Sequence, residues 1–224
     1  MKKRTKLADR ILPDYCKGEE IMNTVTHIAG GGIAIAVLVL CVIRAAINGT
    51  ALAIVGCSIY GFSMVALYTV SSVYHGLKRS KAKKVMQVID HCTIYILIAG
   101  TYTAVLACGI IPIDPVMGWS LLGAQWLLGC GAAALTAIDL NKYRYVSMTM
   151  YICMGWSVVI CIPQVLQAMS GAGFGFLLAG GIAYTLGAVL YGIGNKKAWF
   201  HSVFHIFVML GSGLQFIAIY CYGI

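Results

Sequence analysis

The apolar residues of this chain fall into long blocks that short polar segments separate. Seven such blocks can be traced, at positions 21–43, 51–75, 86–110, 116–138, 145–166, 172–193 and 200–222. An α-helix needs roughly 20 apolar residues to cross a hydrocarbon core about 30 Å thick, so each block is long enough for one crossing. The pattern predicts an all-α membrane protein with a basic cytoplasmic segment at 1–20 and a seven-transmembrane-helix bundle at 21–224.

The composition agrees with a chain that lies almost wholly in lipid. Apolar residues make up 60% of the 224 residues and charged residues only 10%, whereas a typical soluble domain has about 25% charged residues. This excludes an ordinary soluble fold, which needs a polar surface. The first 20 residues contain no apolar stretch of the kind that a cleaved signal peptide requires, so none is expected. The predicted location is the cell membrane, with several crossings.

The basic residues are distributed unevenly between the two predicted sides of the membrane. With seven crossings, one side holds the N-terminal segment and the second, fourth and sixth loops. The basic residues of that side are Lys2, Lys3, Arg4, Lys6, Arg10, Lys17, Lys78, Arg79, Lys81, Lys83, Lys84, Lys142, Arg144, Lys196 and Lys197. Only Arg44 falls on the other side. Because cytoplasmic loops carry an excess of Lys and Arg, the N-terminus is predicted inside and the C-terminus outside.

The net charge of +9 is therefore interpreted as a topology signal. A nucleic-acid-binding face is not expected, because the basic residues are not interleaved with aromatic residues. The same basic rim can attract anionic lipid headgroups, so membrane lipids are the expected partners. Asp139, at the inner end of the fourth helix, is expected to pair with Lys142 or Arg144.

Prolines and a glycine-rich stretch mark the boundaries that are hardest to place. Pro112 and Pro115 are expected to end the third helix, because proline cannot continue a helix interior. The fifth helix is expected to end near Pro163, and the sixth to begin in the small residues at 170–173. This division matters because an odd number of crossings places the two termini on opposite sides.

Ionisable side chains are costly inside membrane segments, so each is a candidate functional residue. All five histidines of the chain, and Asp90, fall near the inner ends of their predicted helices. The histidines are His27, His75, His91, His201 and His205. At about 1.5 Å of rise per residue, these groups lie within roughly 10 Å of the inner boundary. Four helices therefore bring imidazole or carboxylate groups to one depth.

His201 and His205 are four residues apart, which places both imidazoles on one face of the seventh helix. A third ring nitrogen could come from His75, at the end of the second helix. Three histidines leave a fourth tetrahedral position open, as in catalytic zinc sites and unlike closed structural ones. The alternative is that the pair consists of hydrogen-bonded packing or interfacial residues, and the spacing is compatible with both readings.

Ser71 and Asp90 are two further polar residues at this depth. Ser71 precedes His75 by one turn on the same face, and it could serve the site or bond back to its own helix. Asp90 could act as a general base or orient a ligand, or it could cap the third helix, where a carboxylate is favoured in the first turn. His91 points about 100° away from Asp90, so the two are not expected to serve one ion equally.

Four short segments together resemble the haemolysin III family, the bacterial branch of the progestin and adipoQ receptor superfamily. They are EIMNTVTH (20–27), SSVYH (71–75), DH (90–91) and HSVFH (201–205). The resemblance covers the chain from the first helix to the seventh. It implies a seven-helix fold with the N-terminus inside and Zn²⁺ held by His75, His201 and His205. It also implies that Asp90 and Ser71 lie beside the ion as catalytic residues, and that a supporting shell of Glu20, Asn23 and His27 braces the site.

Three functions follow from this resemblance and the residues. The first is a membrane-embedded zinc hydrolase in which Asp90 is the general base and Ser71 helps to hold the oxyanion or the water. The alkaline ceramidases of the wider group suggest lipid amides as substrates, reached from the inner leaflet. The second is a non-enzymatic role in sensing or maintaining the state of the membrane, with zinc bracing the bundle. The third, a cytolysin or pore, is disfavoured because a secreted cytolysin needs a soluble form.

Overall fold

The computed structural model describes residues 4–194 and 197–224; most of these residues are helical, and none of them lies in a strand. The α-helices are α1 (Lys17–Asn48), α2 (Ala51–Gly76), α3 (Lys81–Val105), α4 (Pro115–Ile138), α5 (Arg144–Trp156), α6 (Ile162–Gly194) and α7 (Phe200–Ile217). The π-helical segments Leu106–Ile110 and Ala218–Gly223 extend α3 and α7, and 3-10 helices lie at Leu7–Asp9 and Ser157–Cys161. The prediction of an all-α membrane protein is confirmed. Lys2, Lys3 and Lys196, which entered the charge argument, lie outside the described residues.

Six helical stretches in the described part of the chain are long and apolar enough to cross a membrane. The fifth of them, Arg144–Ile193, has 50 residues and consists of α5, the 3-10 segment and α6 as far as Ile193. Within α6, Ser170 has φ 62° and ψ 173°, a conformation that only glycine adopts without strain. The helix is therefore interrupted at Ser170, in the stretch where the sequence places the start of the sixth helix.

Polar side chains fix where three of the helices begin. Thr50 and Ser80 each accept a hydrogen bond from a backbone N–H in the first turn of α2 and α3. Asp114 caps α4 in the same way. Pro115 occupies the first helical position, where proline is tolerated because a backbone N–H at this position would have no hydrogen-bond partner within the helix. These caps satisfy backbone donors that a helix start leaves unpaired.

Close contacts at glycine hold the helices together. A Cβ atom at Gly30 would lie 2.7 Å from the ring of Tyr68, and one at Gly61 would lie 2.6 Å from Leu38. In lipid, helix association depends on such close packing, because the lipid tails are as apolar as the side chains. The outer surface is correspondingly apolar, with large side chains such as Phe62 and Leu127 exposed.

The N-terminal segment and the C-terminus lie at opposite ends of the bundle. Residues 4–16 cross one end, where Arg79 donates to two carbonyls of this segment and Arg10 donates to a carbonyl at the end of α4. At the other end, Arg44 donates to the carbonyl of Ile224. We call the first of these the basic end, because the N-terminal segment meets the basic α2–α3 connection there.

Asp139 does not form the ion pair that its neighbours suggested. Its carboxylate accepts hydrogen bonds from the backbone N–H groups of Thr5, at 2.7 Å, and Lys142, at 3.1 Å. Among the described residues no ion pair joins Asp139 to Lys142 or Arg144. Burial opposes ionisation of this carboxyl, but the two amide hydrogen bonds outweigh it and hold the pKa of Asp139 below its ordinary value. Asp139 therefore fastens the N-terminal segment to the end of α4.

Candidate metal centre

Three buried histidines meet at the basic end of the bundle. The Nε2 atoms of His75 and His201 lie 3.3 Å apart, and those of His201 and His205 lie 3.1 Å apart. Each of the three offers a ring nitrogen within 4.8 Å of the other two. All three are almost inaccessible to solvent. The prediction that imidazoles from the second and seventh helices meet at one point is confirmed.

Hydrogen bonds alone do not satisfy all the contacts between these rings. A carboxylate of Glu20 lies 2.7 Å from Nδ1 of His75, and since a carboxylate can only accept, Nδ1 of His75 carries the proton and its Nε2 has a lone pair. A proton on Nε2 of His201 can point at His75 or at His205, so one of the two contacts stays unsatisfied. Nitrogen ligands on a tetrahedral ion at about 2.0–2.1 Å are about 3.3 Å apart. The three histidines could therefore hold a metal ion.

The start of α7 is positioned by a carboxylate from α1. His201 and His205 follow closely after Trp199, whose φ of 67° is left-handed and whose backbone N–H donates to Glu19 at 2.6 Å. The other oxygen of Glu19 accepts from the N–H of Cys16, at 2.9 Å, in a capping box at the start of α1. Glu19 thereby fixes the first turn of α7, which carries the histidine pair, relative to α1.

Glu20 connects His75 to a buried lysine that the sequence analysis did not single out. One oxygen of Glu20 accepts from His75, and the other accepts from Nζ of Lys83 at 2.6 Å. Lys83 is 3% exposed and also donates to the carbonyls of His75 and Leu77. A carboxylate behind a metal-binding imidazole fixes its tautomer and its ring orientation. Lys83 in turn holds the second oxygen of Glu20 in place.

Two more residues of α1 face the three histidines. The side-chain amide of Asn23 lies 3.4 Å from Nδ1 of His75. His27 stacks on His205 with ring centroids 3.7 Å apart, and both its ring nitrogens are buried without a hydrogen-bond partner in the described part of the chain. Glu20, Asn23 and His27 thus lie against the three histidines, His27 by stacking and not by a hydrogen bond, and their role in bracing the site stays a prediction.

A cavity of about 150 Å³ adjoins the histidines of α7. Its polar lining includes His27, His201, His205, Ser71 and Asp90, and most of the remaining lining is aliphatic or aromatic. Ser71 lies beside the carboxyl group of Asp90. The structure therefore brings Asp90 and Ser71 to the same cavity as two of the three histidines. Their catalytic roles remain a prediction.

The suggestion that Asp90 caps the third helix is wrong. Helix α3 begins at Lys81 and is capped by Ser80, so Asp90 lies more than two turns inside the helix. His91 is engaged elsewhere: its Nδ1 donates to the carbonyl of Gln87 at 2.8 Å, and its Nε2 accepts from Tyr191 at 3.0 Å. His91 also lines the cavity, with its Nδ1 3.8 Å from the carboxylate of Asp90, and whether the two serve one ion equally stays a prediction.

Tyr15 covers the site from the N-terminal segment, and the sequence analysis missed it. Its ring stacks on His201 with centroids 4.8 Å apart and lies 5.7 Å from the ring of His75. Burial raises the pKa of Tyr15 well above its ordinary value, and the neighbouring Tyr74 adds to this effect. The phenol is therefore neutral. The only available signal in the sequence was the position of Tyr15 immediately before the first helix.

Comparisons with known proteins match most of the chain. The sequence profile of the family described as "Haemolysin-III related" matches residues 16–216. The chain is 36% identical to "Hemolysin-3" of Bacillus cereus over 204 residues, which is 91% of each chain. It is 37% identical to the "Hemolysin-3 homolog" of Bacillus subtilis, over 91% of this chain and 94% of the relative. It is 28% identical to the "Monocyte to macrophage differentiation factor" of Homo sapiens, over 73% and 68% of the two chains. No solved structure matches the chain.

Proposed function

Because this chain belongs to the haemolysin-III-related family, as its motifs predicted, we propose that it is a zinc-dependent hydrolase that cleaves lipid amides or esters within the membrane. The family match and the apolar helices establish it as a multi-pass membrane protein. One observation carries the functional proposal. Three buried imidazoles converge beside a cavity whose wall also holds a carboxylate and a hydroxyl, at Asp90 and Ser71.

Zinc is the metal that this donor set favours. Three imidazole nitrogens match the ligand set of catalytic zinc sites and leave one position open. Carboxylate and carbonyl oxygens, which magnesium and calcium prefer, are absent from the group of His75, His201 and His205. When bound, the ion would supply Lewis acidity toward a substrate carbonyl and a water molecule.

The residues of the chain would carry the proton and hold the substrate. Asp90 takes a proton from the attacking water and returns it to the leaving amine or alcohol. Ser71, beside Asp90, orients that carboxylate. The aliphatic and aromatic lining of the cavity receives an acyl chain and excludes bulk water from the reacting carbonyl. A lipid is therefore a better substrate for this site than a water-soluble amide.

The proposal includes seven crossings, with the basic end in the cytoplasm. The stretch Arg144–Ile193 has 50 residues, and at 1.5 Å per residue it is about 75 Å long, more than twice the thickness of a hydrocarbon core of about 30 Å. The break at Ser170 supports its division into two crossings. Termini at opposite ends of the bundle support an odd number, and the excess of basic residues supports the orientation. The site then opens to lipids of the inner leaflet.

Labelling of single introduced cysteines tests this arrangement. A membrane-impermeant thiol reagent is expected to label Ser170→Cys in intact cells, because Ser170 is exposed at the break and lies on the outer side in the proposed topology. The matched variant Lys78→Cys, exposed at the opposite end, should be labelled only after permeabilisation. Labelling is measured relative to the unmodified chain, which has nine cysteines of its own. Labelling of both variants in intact cells would contradict seven crossings.

Substitution of Glu20 by glutamine is expected to weaken zinc binding about tenfold or more, since loss of such a carboxylate typically costs 10–100-fold in affinity. The amide cannot both accept the proton of His75 and pair with Lys83 as the carboxylate does. Competition with a chelator of known affinity measures the change. Asp14→Asn removes an exposed carboxylate at the same end and should leave the affinity unchanged. An unaltered affinity in Glu20→Gln would contradict this role for Glu20.

A second candidate function is a sensor or stabiliser of the membrane in which zinc is structural. The observation that favours it is the closure of the site: Tyr15 covers His201, and Glu20 and Lys83 brace His75. Under this alternative the metal is required for stability, and Asp90 is dispensable. Hydrolysis of ceramide-like lipids by the purified protein, and its loss on substitution of Asp90, separates the two functions.

A further inference from the structure

A second pocket lies at the basic end, apart from the histidines. It is an open surface pocket with a volume of about 440 Å³. The N-terminal segment contributes one wall, and the α2–α3 connection together with the first turn of α3 contributes the other. Its lining residues are Arg10, Ile11, Leu12, Arg79, Ser80, Lys81 and Lys84. Basic side chains therefore dominate this pocket, and no Asp or Glu lines it.

The guanidinium group of Arg10 is buried without enough partners. Arg10 is only 5% exposed, and its Nη2 donates to the carbonyl of Ile138 at 3.3 Å. Its Nε and Nη1 are buried with no hydrogen-bond partner in the described part of the chain. A buried cation is costly unless it is paired and hydrogen-bonded. An anion in the pocket would offset this cost.

The nearby carboxylates do not form an ion pair with Arg10. Asp139 is within electrostatic range of Arg10, but its oxygens already accept from backbone amides. Asp14 binds Arg79 at 2.9 Å, and its side chain is almost fully exposed. Lys84 donates to the carbonyl of Ala8, which holds the N-terminal segment without contributing a negative charge. Arg79 is thus paired with Asp14, whereas Arg10, Lys81 and Lys84 form no ion pair with a carboxylate in the described part of the chain.

We propose that this pocket binds an anionic phosphate group, either on a lipid headgroup or as free phosphate. The planar fork of a guanidinium matches phosphate oxygens with paired hydrogen bonds, and lysines add point charges. Lipid headgroups lie at the depth where the helix ends of a membrane bundle emerge, so both sources of phosphate reach this position. The bound anion joins the N-terminal segment to the α2–α3 connection. It thereby holds Tyr15 over the histidines, and the proposal stands whether or not the protein is a hydrolase.

Counting bound ligands by native mass spectrometry tests this site. The detergent-purified full chain is titrated separately with phosphatidylglycerol, with zwitterionic phosphatidylcholine and with inorganic phosphate. Lys81→Gln is expected to weaken binding of the anionic ligand about fivefold, which is the usual contribution of one basic residue near anionic lipid. Lys81 is exposed, so this variant should fold. Arg10→Gln should weaken binding further, because it removes the buried fork.

Lys142→Gln is the matched control, since Lys142 is an exposed cation outside the pocket lining. It should bind like the wild type. Saturable binding of phosphatidylglycerol but not phosphatidylcholine, weakened only in the pocket variants, supports the site with a lipid as the source. The same pattern with inorganic phosphate alone supports it with free phosphate as the source. Equal weakening in Lys142→Gln, or no saturable binding of either anion, would overturn the proposal.

Discussion

Replacement of His201 by alanine is expected to remove the bound metal almost completely. The wild type should purify with about one zinc ion per chain, and His201→Ala with close to none, because two remaining imidazoles make an incomplete ligand set. His201 is the central member of the group, since its Nε2 lies 3.3 Å from that of His75 and 3.1 Å from that of His205. Elemental analysis of protein purified without a chelator measures the stoichiometry.

The control for this measurement is another histidine at the same depth. His91→Ala removes an imidazole whose nitrogens are occupied by Gln87 and Tyr191, and it should retain the metal. If the loss of zinc in His201→Ala reflected general unfolding, the size-exclusion profile would also change. A wild type that carries no metal, or a His201→Ala protein that keeps it, would contradict the proposed centre.

The parts of the fold that sequence alone predicts are those set by the length and the apolarity of each segment. The apolar block at 51–75 predicts a helix that the structure has at Ala51–Gly76, because a hydrocarbon core of fixed thickness requires a helix of fixed length. The same reasoning gives the depth of each histidine. It does not give the rotation of a helix about its own axis, so whether His75 faces His201 depended on how the helices pack.

Residues outside the apolar blocks were harder to assign. Helix α3 begins at Lys81, five residues before the predicted block at 86, because its first turn is polar and is capped by Ser80. The buried position of Lys83 follows from Glu20 and the carbonyls of His75 and Leu77, and its one charged partner, Glu20, is distant in sequence. The role of Tyr15 could not be predicted either, because its contacts are with residues of α2 and α7 that are distant in sequence.

Substitution of Asp90 by asparagine is expected to reduce hydrolysis of a ceramide-like lipid by about 10²–10⁴-fold, the usual contribution of a positioned general base. Asparagine has nearly the same shape but cannot take a proton at neutral pH. Asp90 lines the cavity beside His201 and His205, but it does not belong to the group of side chains that could hold the metal. The zinc content should therefore stay at the wild-type level. Release of fatty acid from the lipid in mixed micelles measures the activity, and elemental analysis measures the metal in the same preparations.

Asp14→Asn supplies the matched control, because it makes the same chemical change at an exposed carboxylate of the basic end and should leave hydrolysis unchanged. The pairing of the two readouts decides between the candidate functions. Lost hydrolysis with retained zinc assigns Asp90 to the chemistry, whereas loss of both would make it a structural residue of the metal centre. Full hydrolysis in Asp90→Asn would rule out the carboxylate as the base. A wild type that binds zinc but cleaves no lipid amide or ester would favour the sensing role, in which the buried histidines hold the helices together.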